Sequence, residues 1–312
     1  MGELRIMGNG NAERVGIGLG VLATLLWSSA FISARYLMGS VPPRLDPMSL
    51  VFYRFLIGSI LVFAMAKARG DSLKLRSASE IRQVIAVSFF LYFLMSYLNF
   101  YGQRTASATT AALFLESGPA LIVIIWKILR GKSTSRTEIG AVIAGLIGCM
   151  MVLNIISADG IHYTTGSWLG ELSLLGAAIS WVIGSVYGQE LMRSERRLAL
   201  TGWCQVFAGA MVLPAVLCNV SGIIIPVGWD VWGAIVLIGI FPTGLAFVAW
   251  SAAMPRLALW KLSMLQNLTP IFTLFGAWLL LGERPTGFNF AGIVLVLAGL
   301  SAAILATRRK AD

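Results

Sequence analysis

VGIGLGVLATLLWSSAFISARYL, residues 15–37, is the stretch of this sequence that decides the fold. It contains a single charged residue, Arg35, close to its end. A helix needs about 20 apolar residues to cross a bilayer, whereas the apolar core of a secretory signal has about 7–15. The run is therefore too long for a cleaved leader, and we predict a retained first transmembrane helix.

Apolar runs of similar length recur along the whole chain. The residues are 57% hydrophobic and 12% charged, whereas soluble proteins carry about 25% charged residues. The short alternating segments typical of a β-barrel are absent from the sequence. We predict an all-α membrane protein with ten transmembrane helices, near residues 15–38, 47–67, 81–102, 105–129, 137–157, 167–190, 199–219, 229–251, 257–281 and 286–306.

The basic residues indicate how these helices cross the membrane. The net charge is +10, but Lys and Arg lie in the gaps between apolar runs rather than in one stretch, which argues against nucleic-acid binding. With a cytoplasmic N-terminus, 19 of the 24 Lys and Arg fall in inner segments, and only Arg44, Arg104 and Arg284 fall in outer loops. The positive-inside rule then predicts a multi-pass protein of the cell (inner) membrane with both termini in the cytoplasm.

The two halves of the chain match each other at an offset of 151–154 residues. The matches are Trp27 with Trp181, Glu116–Pro119 with Asn267–Pro270, and Gly148 with Gly299. Because five helices per half is an odd number, the second half enters the membrane from the opposite face. Inverted repeats of this kind are typical of transporters, whose substrate site lies near the midplane between the halves.

We predict five segments from this repeat. They are a cytoplasmic tail (1–14), a first five-helix repeat (15–157), an extracytoplasmic linker (158–166), a second five-helix repeat (167–306) and a basic cytoplasmic tail (307–312).

Several short motifs resemble those of the drug/metabolite transporter superfamily, and within it the EamA-type permeases. They are Leu26–Phe31, Tyr53-Arg54-Phe55, Thr105–Leu113 followed by Pro119, Gly244–Phe247 with Trp250, Leu268-Thr269-Pro270, and Leu281–Pro285. The first-half counterpart of the last motif departs from the pattern, since Arg130-Gly131-Lys132 stands in its place. The resemblance implies a ten-helix carrier that moves small organic solutes, often outward, by alternating access.

Glu116 is the only acidic residue placed deep inside a predicted helix. A charged group at mid-membrane costs about 2.5–3.5 kcal/mol on insertion scales, so intramembrane acids often serve function. We interpret Glu116 as a candidate for proton coupling or for binding a substrate amine. A protonated carboxyl that pins two helices together is the alternative.

Three prolines fall inside predicted helices, and each removes a backbone hydrogen bond. Pro119 and Pro270 occupy matching positions in the two halves, and Pro242 marks a break in the eighth helix. We predict that Pro119, Pro242 and Pro270 act as hinges beside a binding site.

Polar and aromatic residues cluster at comparable depth in several helices. Their rings could enclose an organic solute while their polar atoms orient it. Hydrogen bonding between helices is the alternative role for any single residue. The predicted substrate-binding set is Trp27, Ser28, Tyr97, Asn99, Thr110, Glu116, Trp181, Ser185, Trp250, Ser263, Gln266 and Asn267. For Arg54, snorkelling to headgroups or pairing with Glu116 is favoured over contact with substrate.

The function that these features favour is secondary transport of a neutral, zwitterionic or amino-acid-like metabolite, with export as the expected direction. A flippase or carrier for a lipid-linked or hydrophobic compound is the alternative. An intramembrane enzyme or a receptor is disfavoured, because the only histidine, His162, lies in a predicted loop, and no nucleophile–base pair or metal-ligand cluster is present in the sequence. We expect a monomer without cofactor or metal, whose partners are its solute, membrane lipid and, as a candidate coupling ion, protons.

Overall fold

The computed structural model describes residues 10–38, 45–104, 114–115, 136–153, 155–161, 168–217, 223–281 and 285–308. Most of the fourth predicted helix, 105–129, therefore lies outside the described residues. So do the predicted site residues Thr110, Glu116 and Pro119.

Helices make up most of the described part of the first half. They are α1 (Gly10–Met38), α2 (Pro47–Ala68), α3 (Ala78–Val87), α4 (Met95–Gly102) and α5 (Arg136–Val152), and a π-helical segment, Ser88–Leu94, joins α3 to α4. An antiparallel hairpin follows, formed by β1 (Ile156–Ser157) and β2 (Gly160–Ile161).

The second half is also helical. Its helices are α6 (Trp168–Leu191), α7 (Arg197–Ala210), α8 (Leu213–Leu217), α9 (Trp229–Ile238), α10 (Ala246–Ala253), α11 (Leu259–Met264), α12 (Thr269–Leu281) and α13 (Gly287–Arg308). A π-helical segment, Gly239–Leu245, joins α9 to α10, and a 3-10 turn, Leu265–Leu268, joins α11 to α12.

Four continuous helices in the described chain are long and apolar enough to cross a membrane. They are Pro47–Ala68, Ala78–Gly102, Trp168–Leu191 and Trp229–Ala253. Two shorter apolar stretches, Ile139–Val152 and Gly287–Gly299, lie within α5 and α13. The protein is thus a mostly helical, multi-pass membrane protein.

Local sequence explains where several helices begin and break. Asp46 caps α2 by accepting hydrogen bonds from the backbone N–H groups of Met48 (2.8 Å) and Ser49 (3.1 Å), and Pro47 occupies the first helical position, where no N–H is needed. The seventh predicted helix is broken between Ala210 and Leu213, just before Pro214, which cannot donate the backbone bond that would continue α7.

Two predictions about these helices were wrong in detail. The fifth helix ends at Val152 rather than near residue 157, because the chain turns into the β1–β2 hairpin, a small exception to an all-α fold. The break predicted at Pro242 is absent, since the chain stays helical from Trp229 to Ala253. The widened turns of Gly239–Leu245 accommodate the proline instead.

The offset of 151 residues also relates structural features of the two halves. Adding 151 to the π-helical segment Ser88–Leu94 gives Gly239–Leu245, and adding it to Ala78–Gly102 gives Trp229–Ala253. Only the second π-helical segment contains a proline, so proline alone does not explain the pair. Widened turns of this kind occur mostly at functional sites.

The helices α5 and α13 pack against each other in an exchanged manner under this offset. A Cβ on Gly148 would lie 2.8 Å from the backbone oxygen of Gly292, and a Cβ on Gly299 would lie 2.8 Å from that of Ala141. Residues 148 and 299 differ by 151, as do 141 and 292. The two helices are thus antiparallel, and each presents the same surface to the other.

Other packing partners exchange in the same way. Helix α1 packs on α10 and the segment Gly239–Leu245, while α6 packs on α4 and the segment Ser88–Leu94. Helix α2 packs on α7, its own counterpart. The first helix of each half therefore lies against the third helix of the other half, and the centre of the molecule is built from both.

Candidate functional site

A cavity lies at this junction and is lined by residues of both halves. Trp27 on α1 and Asn99 on α4 come from the first half, and Trp181 on α6 and Gln266 in the 3-10 turn come from the second. The cavity encloses about 760 Å³ of space not filled by atoms, including its opening to solvent. A ligand held here would contact both halves at once.

Aromatic rings form one wall of the cavity. Trp27 and Trp181 meet edge to face with ring centroids 5.4 Å apart, and Phe247 lies 5.5 Å from Trp27. Trp250 packs behind them, 4.9 Å from Trp27 and 5.7 Å from Trp181. Such an arrangement offers flat apolar faces and ring edges to an organic solute.

Amide side chains supply polar atoms at the same depth. The indole Nε1 of Trp181 donates a hydrogen bond to Oε1 of Gln266 at 3.1 Å, which holds both side chains in place. The side-chain oxygen of Asn99 is buried without a hydrogen-bond partner in the described structure. A buried acceptor without a partner is costly, so a ligand that donates a hydrogen bond here would remove that cost.

Arg54 contributes a positive charge to the cavity wall. It is 6% exposed, and its guanidinium carbon lies 5.0 Å from the ring centre of Phe55 and 5.5 Å from that of Phe100. Its Nε donates a hydrogen bond to Oγ1 of Thr243 at 3.0 Å. The side chain is enclosed by protein, so the predicted snorkelling of Arg54 was wrong.

Thr243 is itself held by the second half. It is fully buried in the π-helical segment Gly239–Leu245, and its backbone oxygen accepts a hydrogen bond from Nε2 of Gln205 at 2.8 Å. Gln205 stands on α7 at a position 151 residues after Arg54. Equivalent positions of the two halves therefore both bind Thr243, one through its side chain and one through its backbone.

The structure brings part of the predicted site together. Trp27, Asn99, Trp181 and Gln266 line the cavity, and Trp250 supports two of them. The predicted approach of Trp27 and Trp181 is confirmed. For Ser263 only the helix, α11, is described, and the side chain lies outside the described part.

Four other predicted residues do not line this cavity. Ser28 donates a hydrogen bond to the backbone oxygen of Leu25 at 2.6 Å, within its own helix. Tyr97 stacks with Phe93, their ring centroids 6.1 Å apart. Ser185 and Asn267 are buried away from the cavity, and each has a side-chain oxygen without a hydrogen-bond partner in the described structure.

The ninth predicted helix is interrupted beside the cavity. The 3-10 turn Leu265–Leu268 separates α11 from α12, and Pro270 is the second residue of α12. Gln266, in the turn, and Thr269, at the start of α12, both line the cavity. The interruption therefore places polar groups at the site, while the hinge role of Pro270 stays a prediction.

Sequence reasoning overlooked several lining residues. Arg54 and Phe247 belong to the quoted motifs but were not placed in the site, and Met95, Phe100 and Gln103 were not singled out. A signal for Arg54 existed, since an arginine inside an apolar run needs a polar environment. The other four lie on helices α4 and α10, and the repeat pairs these helices with each other.

Apolar helices surrounding a cavity with aromatic and polar walls define the class of this protein, a multi-pass helical membrane protein with an internal site. The family model described as the EamA-like transporter family matches twice, at residues 14–154 and 168–305. The chain belongs to this family.

Individual relatives agree with that assignment. The chain is 28% identical over 294 residues to an aromatic amino acid exporter of Ancylobacter novellus, covering 93% of this chain and 97% of that protein. It is 23% identical to a probable amino-acid metabolite efflux pump of Salmonella typhimurium, covering 90% and 92%. A solved crystal structure matches with a TM-score of 0.77 at 24% identity, covering 98% of this chain and 100% of that one, and so shares the fold.

Proposed function

We propose that this protein is a secondary transporter that exports a small organic metabolite across the inner membrane by alternating access. The observation that carries the proposal is the cavity, because its walls come from both halves of the chain. A site shared between two rigid halves can be exposed to either side when the halves rock against each other. The names of the relatives, exporters and efflux pumps for amino acids and their metabolites, support the solute class.

The proposal includes ten transmembrane helices in two inverted five-helix halves. Two antiparallel helices with exchanged contacts, α5 and α13, are related by a two-fold axis perpendicular to both. If both cross the membrane, that axis lies in the membrane plane, which is the geometry of an inverted repeat. The two matches to the family model, one in each half, also support this layout.

The remaining parts of the proposal follow from the charges and from Glu116. The basic residues place both termini in the cytoplasm. Glu116 is the proposed proton-coupling group, and the proposed partners are the solute, membrane lipid and protons, with the protein acting as a monomer.

Flux measurements on purified protein in lipid vesicles test this function. The panel contains radiolabelled amino acids, nucleobases and related metabolites, each assayed with and without a pH gradient, and protein-free vesicles are the control. We expect flux above control for at least one amino-acid-like solute. If every solute fails while a fluorescent lipid crosses between leaflets, the flippase alternative replaces the solute carrier.

A further inference from the structure

We propose that Arg54 binds the carboxylate of the transported solute, so that the substrates are amphipathic monocarboxylates with an aromatic or apolar body and a hydrogen-bond donor. This inference rests on the proposed transport function and makes its substrate class specific.

The first argument is the state of the guanidinium. An arginine side chain carries five N–H donors and no acceptor, and a buried charge is stable only when it is paired or fully hydrogen-bonded. In the described part of the chain, the one acceptor for these donors is Oγ1 of Thr243, which binds Nε. No carboxylate of a described residue lies within ion-pair distance of Arg54, so the two terminal nitrogens are left for an anion.

The second argument is the chemistry of the surrounding walls. Phe55 and Phe100 flank the guanidinium, and these rings keep bulk water from it on those sides. A planar guanidinium matches a planar carboxylate with two parallel hydrogen bonds. A single cation favours a single negative charge, because a dianionic phosphate calls for more positive partners than the described cavity lining contains.

The third argument places the rest of the solute. Asn99 precedes Phe100 on α4, so its unpartnered side-chain oxygen lies on the Arg54 side of the cavity and can accept a hydrogen bond from an ammonium or hydroxyl group. Trp27, Trp181 and Phe247 offer apolar faces for a ring or an alkyl chain. The cavity thus has one subsite for a carboxylate, one for a donor and one for an apolar body.

Arg54 also connects the halves, since α2 belongs to the first and Thr243 to the second. An arginine that only held the halves together would affect every ligand equally. An arginine that binds the carboxylate affects acids and spares the amides of the same shape. The test must therefore compare two ligands that differ in charge alone.

Calorimetric titration of the full-length protein in nanodiscs makes this comparison. The probes are 3-phenylpropionate, 3-phenylpropionamide, L-phenylalanine and phenethylamine, each titrated into the wild type and into Arg54→Gln. We expect the wild type to bind 3-phenylpropionate about 10- to 100-fold more tightly than the amide, as a charge-assisted hydrogen bond allows. In Arg54→Gln this preference should fall to within about threefold, with affinity for the amide nearly unchanged.

Three further variants keep the result interpretable. Lys67→Gln removes a positive charge from the exposed end of the same helix and should leave the preference intact. Thr243→Val removes the acceptor that orients Arg54 and should reduce the preference without abolishing binding of the amide. If Arg54→Gln does not fold, Arg54→Lys keeps the charge but loses the planar pair of donors, and it should retain only part of the preference.

Two results would overturn the inference. An equal loss of acid and amide affinity in Arg54→Gln would assign Arg54 a structural role. Failure of the wild type to prefer the acid, including failure to bind any probe, would refute the substrate class, while solute flux in vesicles would still decide the transport function separately.

Discussion

Substituting Gly148 by alanine tests the exchanged packing of α5 and α13. A Cβ at this position would lie 2.7 Å from a methyl carbon of Val296 and 2.8 Å from the backbone oxygen of Gly292. It would be about 0.7 Å too close to the methyl carbon for the 3.4 Å at which ordinary contact begins. Because one neighbour is backbone, the helices must separate rather than a side chain rotate.

The magnitude follows from comparison with a second glycine on the same helix. Gly140 has no atom within 4 Å of an added Cβ, so Gly140→Ala should stabilise the helix by about 0.5–1 kcal/mol. Gly148→Ala has the same helical preference but adds an overpacking cost of about 1–3 kcal/mol. The difference between the two variants therefore isolates the contact, and we expect Gly148→Ala to be less stable than Gly140→Ala by about 1–3 kcal/mol.

The assay is reversible unfolding in mixed micelles with increasing SDS, followed by circular dichroism. Gly299→Ala should also destabilise, since its Cβ would meet the backbone oxygen of Ala141 at 2.8 Å. The double variant should cost less than the two single variants added together, because one helix separation relieves both contacts. Equal stability of Gly148→Ala and Gly140→Ala would refute the packing argument.

Three more changes address the site and its surroundings. Trp181→Phe keeps an aromatic ring but removes the donor to Gln266, so the KM for flux in vesicles should rise less than about tenfold, and an unchanged KM would remove this bond from substrate positioning. Glu80→Gln weakens the ion pair with buried Arg196 and should lower the free energy of unfolding by about 1–3 kcal/mol in the same SDS titration, whereas wild-type stability would show that the pair contributes nothing. Glu116→Gln should abolish the dependence of flux on a pH gradient, and an unaltered pH response would exclude Glu116 from proton coupling.

The repeat was the part of the fold that sequence predicted best. Trp27 and Trp181 were paired from residue matches, and their rings lie 5.4 Å apart. Gly148 and Gly299 were paired in the same way, and each allows a close approach between α5 and α13. Such matches are readable because close helix contact requires small residues at particular positions, and equivalent helices then carry them at equal spacing.

The role of Arg54 was harder to predict, because its surroundings are assembled from distant parts of the chain. Thr243, its hydrogen-bond partner, lies 189 positions away. Near the end of an apolar run, an arginine that snorkels and an arginine that lines a cavity have the same local sequence. The packing of α2 against the other half distinguishes the two, and no local pattern encodes that packing.

The π-helical segments were also not predicted from sequence. Pro242 indicated an irregularity in the eighth helix, but its form, a continuous helix with widened turns, depends on how neighbouring helices support it. In Ser88–Leu94 no proline or glycine marks the irregularity. Both segments nevertheless lie at the same place in the repeat, which identifies them as a feature of the scaffold.

Counterflow of an amphipathic amino acid across vesicle membranes tests the central claim most directly. Vesicles containing the wild-type protein are preloaded with unlabelled L-phenylalanine and diluted into labelled L-phenylalanine. The account predicts transient accumulation of label with the wild type, strongly reduced accumulation with Arg54→Gln, and none in protein-free vesicles. Accumulation by Arg54→Gln equal to that of the wild type, or no accumulation by the wild type above protein-free vesicles, would contradict it.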